Sequence, residues 1–299
     1  MHNTAEADPV LIVSLDVDRT QLPSKNLVTQ TSDPTYPDSF RLKDIFEELQ
    51  AAGTVRLVHN SGRSLPQILQ NVLPTPENLG PVLALPAAII SSVGTEIYLM
   101  QGTEPKLLPS WEDQMLKQFP QELRAELLTD FRKAFAGNPA IKLQPTTKQG
   151  RHKLSFELTG DHPADSAAAL DRIFNKFTNV RTTFSHGWAY DVTPKSATKG
   201  TALEHLADHW KIPFHNCVVG GDSGNDLPMF RPDFRGIVVG NADDQLRDGL
   251  RFHRQKIVYA KGHIAAGIIE GLQELNILTP QPLAPAMRQP LATTALRNG

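Results

Sequence analysis

Two carboxylates follow a short apolar segment near the start of the chain. The segment runs from Val10 to Leu15, and Asp16, Asp18 and Thr20 come directly after it. A segment that is apolar at nearly every position predicts a strand buried on both faces of a parallel sheet. Open α/β sheets bind their ligands beyond the carboxyl ends of such strands. Two carboxylates there could share a cation and leave one group free for proton transfer, although an isolated pair is as readily part of a turn that caps a strand.

A second acidic cluster follows a second apolar segment. Residues 217–219 predict another strand, and the glycine-rich segment 220–226 carries Asp222, Asn225 and Asp226. Alone, this segment is as readily explained as a tight turn. Two acidic clusters that each lie at the end of a buried strand are harder to explain by chance than either cluster alone. Four converging carboxylates would repel one another without a cation, and hard oxygen ligands favour Mg²⁺.

Two further groups suit the oxygens of a phosphoryl group. Ser61 and Arg63 follow a strand predicted at 55–58 and offer a hydroxyl and a cation. Lys199 lies at the start of a predicted helix, where the helix dipole and the ammonium group both favour an anion. Each signal is weak alone, because a lysine before a helix is usually a solvated surface residue.

The elements that would position these residues alternate between strand and helix. An amphipathic helix over 39–52 separates the first two strands, and a third strand is predicted near 88–90. This order is typical of a doubly wound α/β sheet. The same order resumes from residue 200, with a helix followed by strands at 217–219, 236–239 and 257–259.

The middle of the chain has a different pattern. One helix is predicted over 116–135, and residues 153–158 alternate between polar and apolar side chains. Such alternation is typical of a sheet with one covered face and one open face. A helix near 170–177 and strand-like segments at 180–184 and 188–192 complete a predicted α+β module.

Composition and charge exclude several classes of protein. At roughly 150 residues per domain, the length of 299 residues predicts about two domains. The 30 Lys and Arg against 32 Asp and Glu give a formal charge of −2, so no non-specific grip on nucleic acid is expected. The single cysteine, Cys217, excludes an intramolecular disulfide and suits a reducing compartment. No apolar segment approaches the roughly 18 residues that cross a membrane, and no signal peptide is recognisable, so we expect a soluble, cytoplasmic protein.

The four chemical groups occur in the order found in one superfamily. Together they resemble the haloacid dehalogenase (HAD) superfamily of phosphatases, whose four motifs match Asp16 to Thr20, Ser61, Lys199 and Gly221 to Asp226. Within it, the chain is most similar to the sucrose-phosphate phosphatase subfamily, across roughly residues 9–276. The supporting segments are 60–64, 92–98, 152–156, 191–194 with 199–200, and 259–268.

The resemblance implies an α/β fold with a Rossmann-like HAD core, in which helices flank a parallel sheet, and an inserted C2-type α/β cap domain. The core would be discontinuous, with a first part at 1–102 and a second part at 194–279. The cap would occupy 103–193, between the second and third motifs, and would close over the substrate. Residues 280–299 carry four prolines and are expected to form a poorly ordered tail.

The resemblance also implies catalytic roles. Asp16 would attack phosphorus and form an aspartyl-phosphate, and Asp18 would protonate the leaving oxygen and then activate water. Ser61 and Lys199 would bind the phosphoryl oxygens. The implied ligands of Mg²⁺ are the Asp16 carboxylate, the Asp18 backbone carbonyl and Asp222, with Asp226 in support.

Residues from both domains would bind the substrate. The candidates are Thr20, Gly62, Arg63, Thr95, Glu96, His152, Lys153, Ser155 and Asn225. Arg19 stands where family members often carry a small or amide residue. It could reach the phosphate or face solvent, and we expect it to face solvent. Trp188 and Tyr190 could stack on a sugar, but aromatic residues of strands are more often part of a core.

The function implied by the resemblance is Mg²⁺-dependent hydrolysis of a sugar phosphate, with sucrose 6-phosphate as the leading substrate. Mannosylfructose-phosphate and amino-sugar phosphate phosphatases would share the core chemistry and differ in the cap. A phosphotransferase or mutase would share the aspartyl-phosphate step, and a non-catalytic sugar-phosphate-binding module is a further alternative. We expect a monomer whose partner is a small-molecule sugar phosphate. A sugar-phosphate synthase, contacted through the tail, is a further candidate partner.

Overall fold

The structure is a computed structural model that describes residues 10–23, 36–71, 73, 83–185, 187–253 and 256–278. The predicted tail at 280–299 lies outside the described residues. The strands in these ranges are β1 (Leu11–Leu15), β2 (Val55–Asn60), β3 (Ala88–Ser91), β4 (Glu96–Gln101), β5 (Glu104–Leu107), β6 (Ile141–Leu143), β7 (Leu154–Leu158), β8 (Val180–Ser185), β9 (Ala189–Pro194), β10 (Cys217–Gly221), β11 (Arg235–Val238) and β12 (Ile257–Tyr259). The helices are α1 (Tyr36–Ala51), α2 (Leu65–Asn71), α3 (Pro109–Gln118), α4 (Gln121–Phe135), α5 (Pro163–Phe174), α6 (Lys199–Trp210), α7 (Asp244–Gly249) and α8 (Ala265–Glu274). Among them, none has the length and apolar character needed to cross a bilayer.

Eight strands form the larger sheet, in the order β12-β11-β10-β1-β2-β3-β4-β5. The neighbours from β12 to β3 are parallel, and β4 and β5 add antiparallel strands at one edge. The order of strands reverses at β1, which lies between β10 and β2. The carboxyl ends of β1 and β10 therefore adjoin at the switch point where open α/β sheets bind ligands.

The first strand is buried on both faces, as its sequence predicts. Ile12 packs on one face in a core that includes Leu203 of α6. Val13 packs on the other face in a core that includes Phe46 of α1 and Ile268 of α8. Helices thus cover both faces of the larger sheet, and the predicted α/β class with a parallel sheet between helices is confirmed.

The smaller sheet contains four antiparallel strands in the order β6-β7-β9-β8. Helices α4 and α5 pack on one face, where Phe156, Phe174 and Tyr190 share a core. Ser155 and Asp191 alternate with these core residues and point to the opposite face. The α+β pattern predicted for the middle of the chain is therefore present.

The single helix predicted over 116–135 is wrong, because α3 ends at Gln118 and α4 begins at Gln121. Pro120 lies between them, lacks an N–H, and disfavours a helical backbone at the residue before it. Phe119 leaves the helical region, with φ −134° and ψ 62°, and its side chain packs in the core of the smaller sheet.

The sheets can be compared with the predicted domain boundaries. Strand β5 lies beyond residue 102, where the cap is predicted to begin, yet it pairs with β4 in the larger sheet. Strands β6 to β9 make up the smaller sheet. The division into 1–102, 103–193 and 194–279 stays a prediction.

Candidate active site

Three carboxylates meet at the carboxyl ends of β1 and β10. Asp16 follows β1, whereas Asp222 and Asp226 lie just after β10. One oxygen of each residue lies within 4.8 Å of an oxygen of the other two. The three residues are buried, with exposed fractions of 6%, 3% and 0%. The two acidic clusters of the sequence therefore converge, because both strands end at the same edge of the sheet.

Lys199 lies between two of these carboxylates. Its Nζ donates to Asp16 Oδ1 at 2.5 Å and to Asp226 Oδ1 at 2.6 Å. Thr198 caps α6 by accepting a hydrogen bond from the backbone N–H of Thr201 at 3.0 Å, which fixes the start of the helix. Burial alone would lower the pKa of Lys199, but the two carboxylates outweigh it and hold that pKa above its ordinary value. Lys199 therefore stays charged beside Asp16.

The second oxygen of Asp226 shapes the turn that carries Asp222. Asp226 Oδ2 accepts hydrogen bonds from the backbone N–H of Asp222 at 2.9 Å and of Ser223 at 3.1 Å. A Cβ on Gly221 would lie 2.6 Å from the Cβ of Asp226, so this close approach requires glycine. Asp226 thus orients Asp222 while it pairs with Lys199.

Burial disfavours the charged forms of two of these carboxyl groups. Burial is the largest cause that raises the pKa of Asp16 well above its ordinary value, with Lys199 opposing the shift and Asp226 adding to it. Burial, and then the charge of Asp226, raise the pKa of Asp222 to about 7. A divalent cation among these groups would reverse both shifts, because it stabilises the carboxylates.

The donor set fits a divalent cation such as Mg²⁺. The oxygens that converge are carboxylate oxygens, which are the hard ligands that Mg²⁺ prefers. Thr20 Oγ1 donates to Asp222 Oδ1 at 3.3 Å and helps to orient it. Asn225 Oδ1 is buried and has no hydrogen-bond partner among the described residues. A buried acceptor without a donor is costly, and a ligand bound at this site would satisfy it.

Asp18 forms a bidentate ion pair with Arg63. Arg63 Nη2 donates to Asp18 Oδ1 at 2.6 Å, and Arg63 Nε donates to Asp18 Oδ2 at 2.8 Å. Burial by itself would lower the pKa of Arg63, but the bond to Asp18 outweighs it and raises that pKa. The guanidinium therefore occupies both carboxylate oxygens of Asp18.

Arg19 lies against the acidic cluster. Its side chain is 47% exposed, but its Nε lies 3.2 Å from Asp222 Oδ2. Arg19 Nη2 also donates to the Asn241 carbonyl at 3.1 Å, and Asn241 Nδ2 donates to the Arg19 carbonyl at 2.8 Å. The expectation that Arg19 faces solvent is only half correct, because its charge is directed at Asp222.

A turn with unusual backbone conformation supports the loop that carries Ser61. Ser92 and Val93 have φ values of 52° and 63°, which a β-branched residue such as valine rarely adopts. The N–H of Ser92 donates to the Arg63 carbonyl at 2.8 Å, and the N–H of Val93 donates to the Ser61 carbonyl at 3.2 Å. These bonds hold the loop from both ends.

The same turn contacts the start of α6. A Cβ on Gly94, which has φ 91°, would lie 2.3 Å from the backbone of Thr198. Asn60 Nδ2 also donates to the Lys199 carbonyl at 3.0 Å. The loop of Ser61 and the start of α6 are therefore held in position relative to one another.

A cavity of about 440 Å³ separates the acidic cluster from the polar face of the smaller sheet. This volume is within the range of small-molecule sites. The predicted site residues that line it are Asp16, Asp18, Gly62, Arg63, Lys153, Asp222 and Asn225.

The smaller sheet also contributes lining residues that the sequence analysis missed. Thr183, Ser185 and Asp191 lie at alternate positions of β8 and β9 and line the cavity. Trp188 lines it as well, whereas Tyr190 packs in the core of the smaller sheet as expected. The period of two along a strand could have indicated these positions once the covered face was known. Further lining residues that were not predicted include Gln67, Gln144 and Lys148.

The remaining predicted site residues are buried and do not line this cavity. They are Thr20, Ser61, Thr95, Glu96, His152, Ser155, Lys199 and Asp226. Their predicted contacts with a ligand stay predictions.

Glu96 and His152 belong to a polar network between the two sheets. Glu96 accepts hydrogen bonds from the backbone N–H of Arg151 at 2.7 Å and from the Tyr98 hydroxyl at 2.8 Å. Glu112 accepts from Arg151 Nη2 at 2.7 Å and lies 3.0 Å from His152 Nε2. Burial alone would raise the pKa of Glu112, but the bonds to Arg151 and His152 hold it below its ordinary value. The network joins β4 and α3 to the loop before β7.

Two phosphatases of known name are similar to most of this chain. Sucrose-phosphatase 1 of Nicotiana tabacum is 29% identical over 286 residues, which cover 93% of this chain and 61% of the tobacco protein. The chain thus spans about three fifths of the length of that relative. Mannosylfructose-phosphate phosphatase of Agrobacterium fabrum is 28% identical over 273 residues, which cover 90% of this chain and 98% of that protein.

Solved structures share the fold at lower sequence identity. The sucrose-phosphatase from Synechocystis sp. PCC6803, solved in complex with sucrose and phosphate, has a TM-score of 0.68 and 22% identity. The match covers 90% of this chain and 98% of that one. A haloacid dehalogenase-like hydrolase from Bacillus subtilis has a TM-score of 0.61 and 21% identity, with 90% and 93% covered. These neighbours show that the fold is the HAD fold.

The family model described as sucrose-6F-phosphate phosphohydrolase matches residues 9–276, a range that includes both acidic strand ends, Lys199 and the whole smaller sheet. The chain therefore belongs to the sucrose-6F-phosphate phosphohydrolase family.

Proposed function

We propose that this chain is an Mg²⁺-dependent phosphatase that hydrolyses a sugar phosphate, with sucrose 6-phosphate as the first candidate substrate. The observation that carries the proposal is the position of Asp16, which faces the cavity while Lys199 and two further carboxylates surround it. The family match supports the reaction class, and the related sucrose-phosphatases and mannosylfructose-phosphate phosphatase support a sugar as the leaving group.

In the proposed mechanism, Asp16 is the nucleophile. Its oxygen forms a bond to phosphorus as the bond from phosphorus to the sugar oxygen breaks, which leaves an aspartyl-phosphate. Lys199 orients Asp16 and offsets its charge, since its ammonium group lies 2.5 Å from Asp16 Oδ1. Ser61 and Lys199 bind the phosphoryl oxygens. Asp16, the Asp18 carbonyl and Asp222 would hold Mg²⁺, with Asp226 in support, and the cation would supply positive charge that neutralises the phosphoryl oxygens.

Asp18 is the proposed general acid and base. When Arg63 releases it, Asp18 takes up a proton from solvent and gives that proton to the departing sugar oxygen. It then takes a proton from the water whose oxygen bonds to phosphorus as the bond from phosphorus to Asp16 breaks. The bidentate pair with Arg63 defines the state before the substrate arrives. Arg63 and Gly62 line the cavity, so the guanidinium can turn to the substrate when it releases Asp18.

The smaller sheet and its helices form the proposed cap over 103–193. Its polar face and the acidic cluster line opposite sides of one cavity, as a lid that closes over a sugar phosphate requires. Closure would exclude bulk water from the phosphoryl group and let the cap select the leaving group. Trp188 lines the cavity and offers an apolar ring to one face of a sugar.

Mannosylfructose phosphate is the second candidate substrate. The Agrobacterium phosphatase is matched over 98% of its length, whereas the tobacco sucrose-phosphatase is matched over 61%. The cytoplasmic location, the monomeric state and contact with a synthase stay predictions.

The proposal is tested by measuring phosphate release from a panel of sugar phosphates, with Mg²⁺ and with EDTA. We expect turnover of a disaccharide phosphate that stops in EDTA and in Asp16→Asn. Asp161→Asn, an exposed residue of the predicted cap, is the matched control and should keep full activity. Activity that survives EDTA would refute the metal dependence, and near-normal turnover by Asp16→Asn would refute the nucleophile.

A further inference from the structure

Arg19 is the most exposed of three described cations that lie against the carboxylates following β1 and β10. Its side chain is 47% exposed, lines the cavity and meets Asp222 through one atom, Nε, at 3.2 Å. Lys199, by contrast, is fully buried between two carboxylates. Arg63 is 13% exposed and holds both oxygens of Asp18. Of these three groups, Arg19 is therefore the one that can exchange its carboxylate partner with the least loss of contact.

The backbone of Arg19 is fixed although its side chain is half exposed. Its φ of 59° lies in the left-handed region, which costs a residue with a Cβ more than it costs glycine. The N–H of Arg19 donates to the Leu22 carbonyl at 2.7 Å, and Asn241 Nδ2 donates to the Arg19 carbonyl at 2.8 Å. Strained positions that the surrounding structure holds in place are found mostly at functional sites. An arginine where glycine would be unstrained therefore points to a role for its side chain.

Arg19 loses its carboxylate partner when Asp222 holds a divalent cation. Its guanidinium would then lie beside a positive charge, and like charges at such a distance repel one another. One oxygen of Asp222 lies within 4.8 Å of an oxygen of Asp16, the proposed nucleophile. A phosphoryl group that reaches Asp16 thus brings negative charge close to the guanidinium, whose strongest hydrogen bonds are those to phosphate and carboxylate oxygens. The phosphoryl oxygens can replace the partner that Arg19 gives up.

We propose that Arg19 is a phosphoryl-binding residue that couples the binding of a divalent cation to the binding of a phosphate dianion. In the metal-free protein, Arg19 pairs with Asp222 and opposes the cation. When Asp222 holds a cation, the side chain of Arg19 turns to the phosphoryl oxygens while its backbone stays in place. Each ligand then raises the affinity for the other, because phosphate withdraws the competitor of the cation and the cation frees a donor for phosphate. The inference rests on the proposed function of the same cavity and adds a form of regulation to it.

The test measures this coupling in the wild type and in Arg19→Gln. Thermal stabilisation gives the Mg²⁺ concentration at the midpoint, with and without saturating inorganic phosphate. We expect phosphate to lower this concentration by a factor about ten times larger in the wild type than in the variant, which lacks both the competitor and the phosphate donor. Arg19→Lys should be intermediate, since an ammonium keeps the charge without the planar fork of donors. Arg251→Gln, which changes an exposed arginine paired with Asp248, is the matched control and should equal the wild type.

Equal factors in the wild type and Arg19→Gln would overturn the inference, and Arg19→Lys takes the place of Arg19→Gln if the latter does not fold. Turnover at saturating Mg²⁺ gives a second criterion. In Arg19→Gln, KM should rise by the same factor for the sugar phosphate and for phenyl phosphate, because the lost contact is to the phosphoryl group that both esters share. An unchanged KM for phenyl phosphate would also overturn the inference.

The binding experiment separates this inference from the proposed function, because it does not depend on turnover. If the wild type hydrolyses no ester, the proposed function fails, and the coupling factors still decide the role of Arg19. If turnover is normal and the coupling factors are equal, the proposed function holds and the inference fails.

Discussion

The acidic cluster predicts that removing a carboxylate stabilises the metal-free protein at neutral pH. The change is Asp222→Asn, which preserves the shape of the side chain and removes its charge. Burial, and then Asp226, raise the pKa of Asp222 from 3.8 to about 7 in the folded protein. Because the folded-state pKa is raised, Asp222 contributes stability that is fully present below its unfolded pKa and is lost as the pH rises through 7.

The magnitude follows from that shift. The difference of 7 − 3.8 = 3.2 pKa units corresponds to a ceiling of about 4 kcal/mol, since each unit is worth about 1.4 kcal/mol. The amide of the variant loses the contact between Arg19 and Asp222, so we expect a gain of about 2 to 4 kcal/mol in the free energy of unfolding at pH 8. Near pH 4 the wild-type group is protonated in the folded protein, and the two proteins should differ little.

The assay is urea denaturation at about pH 4, 6 and 8, in EDTA and in Mg²⁺. In EDTA the advantage of Asp222→Asn should grow with pH. In Mg²⁺ the order should reverse, because the cation stabilises the wild type through Asp222 and not the variant. Asp233→Asn, an exposed residue of the same domain, is the control and should show no such trend. A variant that is less stable than the wild type at pH 8 in EDTA, or a difference that does not change with pH, would refute the reasoning.

Three further predictions concern other parts of the structure. In Arg19→Gln, the Mg²⁺ concentration that gives half-maximal thermal stabilisation should fall by several fold, because Arg19 competes with the cation for Asp222. An unchanged midpoint concentration would contradict this competition. Gly94→Ala should destabilise the fold by more than about 3 kcal/mol in urea denaturation, since its Cβ would lie 2.3 Å from backbone atoms at a φ of 91°, and a stable variant would disprove the close approach. Tyr190→Phe should cost about 1 to 2 kcal/mol of stability through loss of its 2.6 Å hydrogen bond to Asp171, with phosphatase activity unchanged; lost activity would show that Tyr190 also acts on the site.

The sequence alone determined which strand ends carry the chemistry. Residues 11–15 and 217–221 are apolar enough to be buried on both faces, and parallel strands end at a common edge, so the convergence of Asp16 with Asp222 and Asp226 could be predicted. A strand end and a predicted helix start also indicated Ser61 and Lys199, the resemblance gave them roles, and the structure brings Lys199 into contact with Asp16. The break of the predicted helix also has a local signal, because Pro120 disfavours a helical backbone at the residue before it.

Only the tertiary structure decided which polar residues line the cavity. Glu96 and His152 occupy a polar network between the sheets, whereas Asp191 lines the cavity, and a period of two along a strand does not say which face is covered. The contacts of Arg19 with Asp222 and of Arg63 with Asp18 join residues far apart in the chain. Such contacts depend on which strand ends adjoin in the larger sheet and on the reach of long side chains. Local patterns of charge and hydrophobicity encode neither.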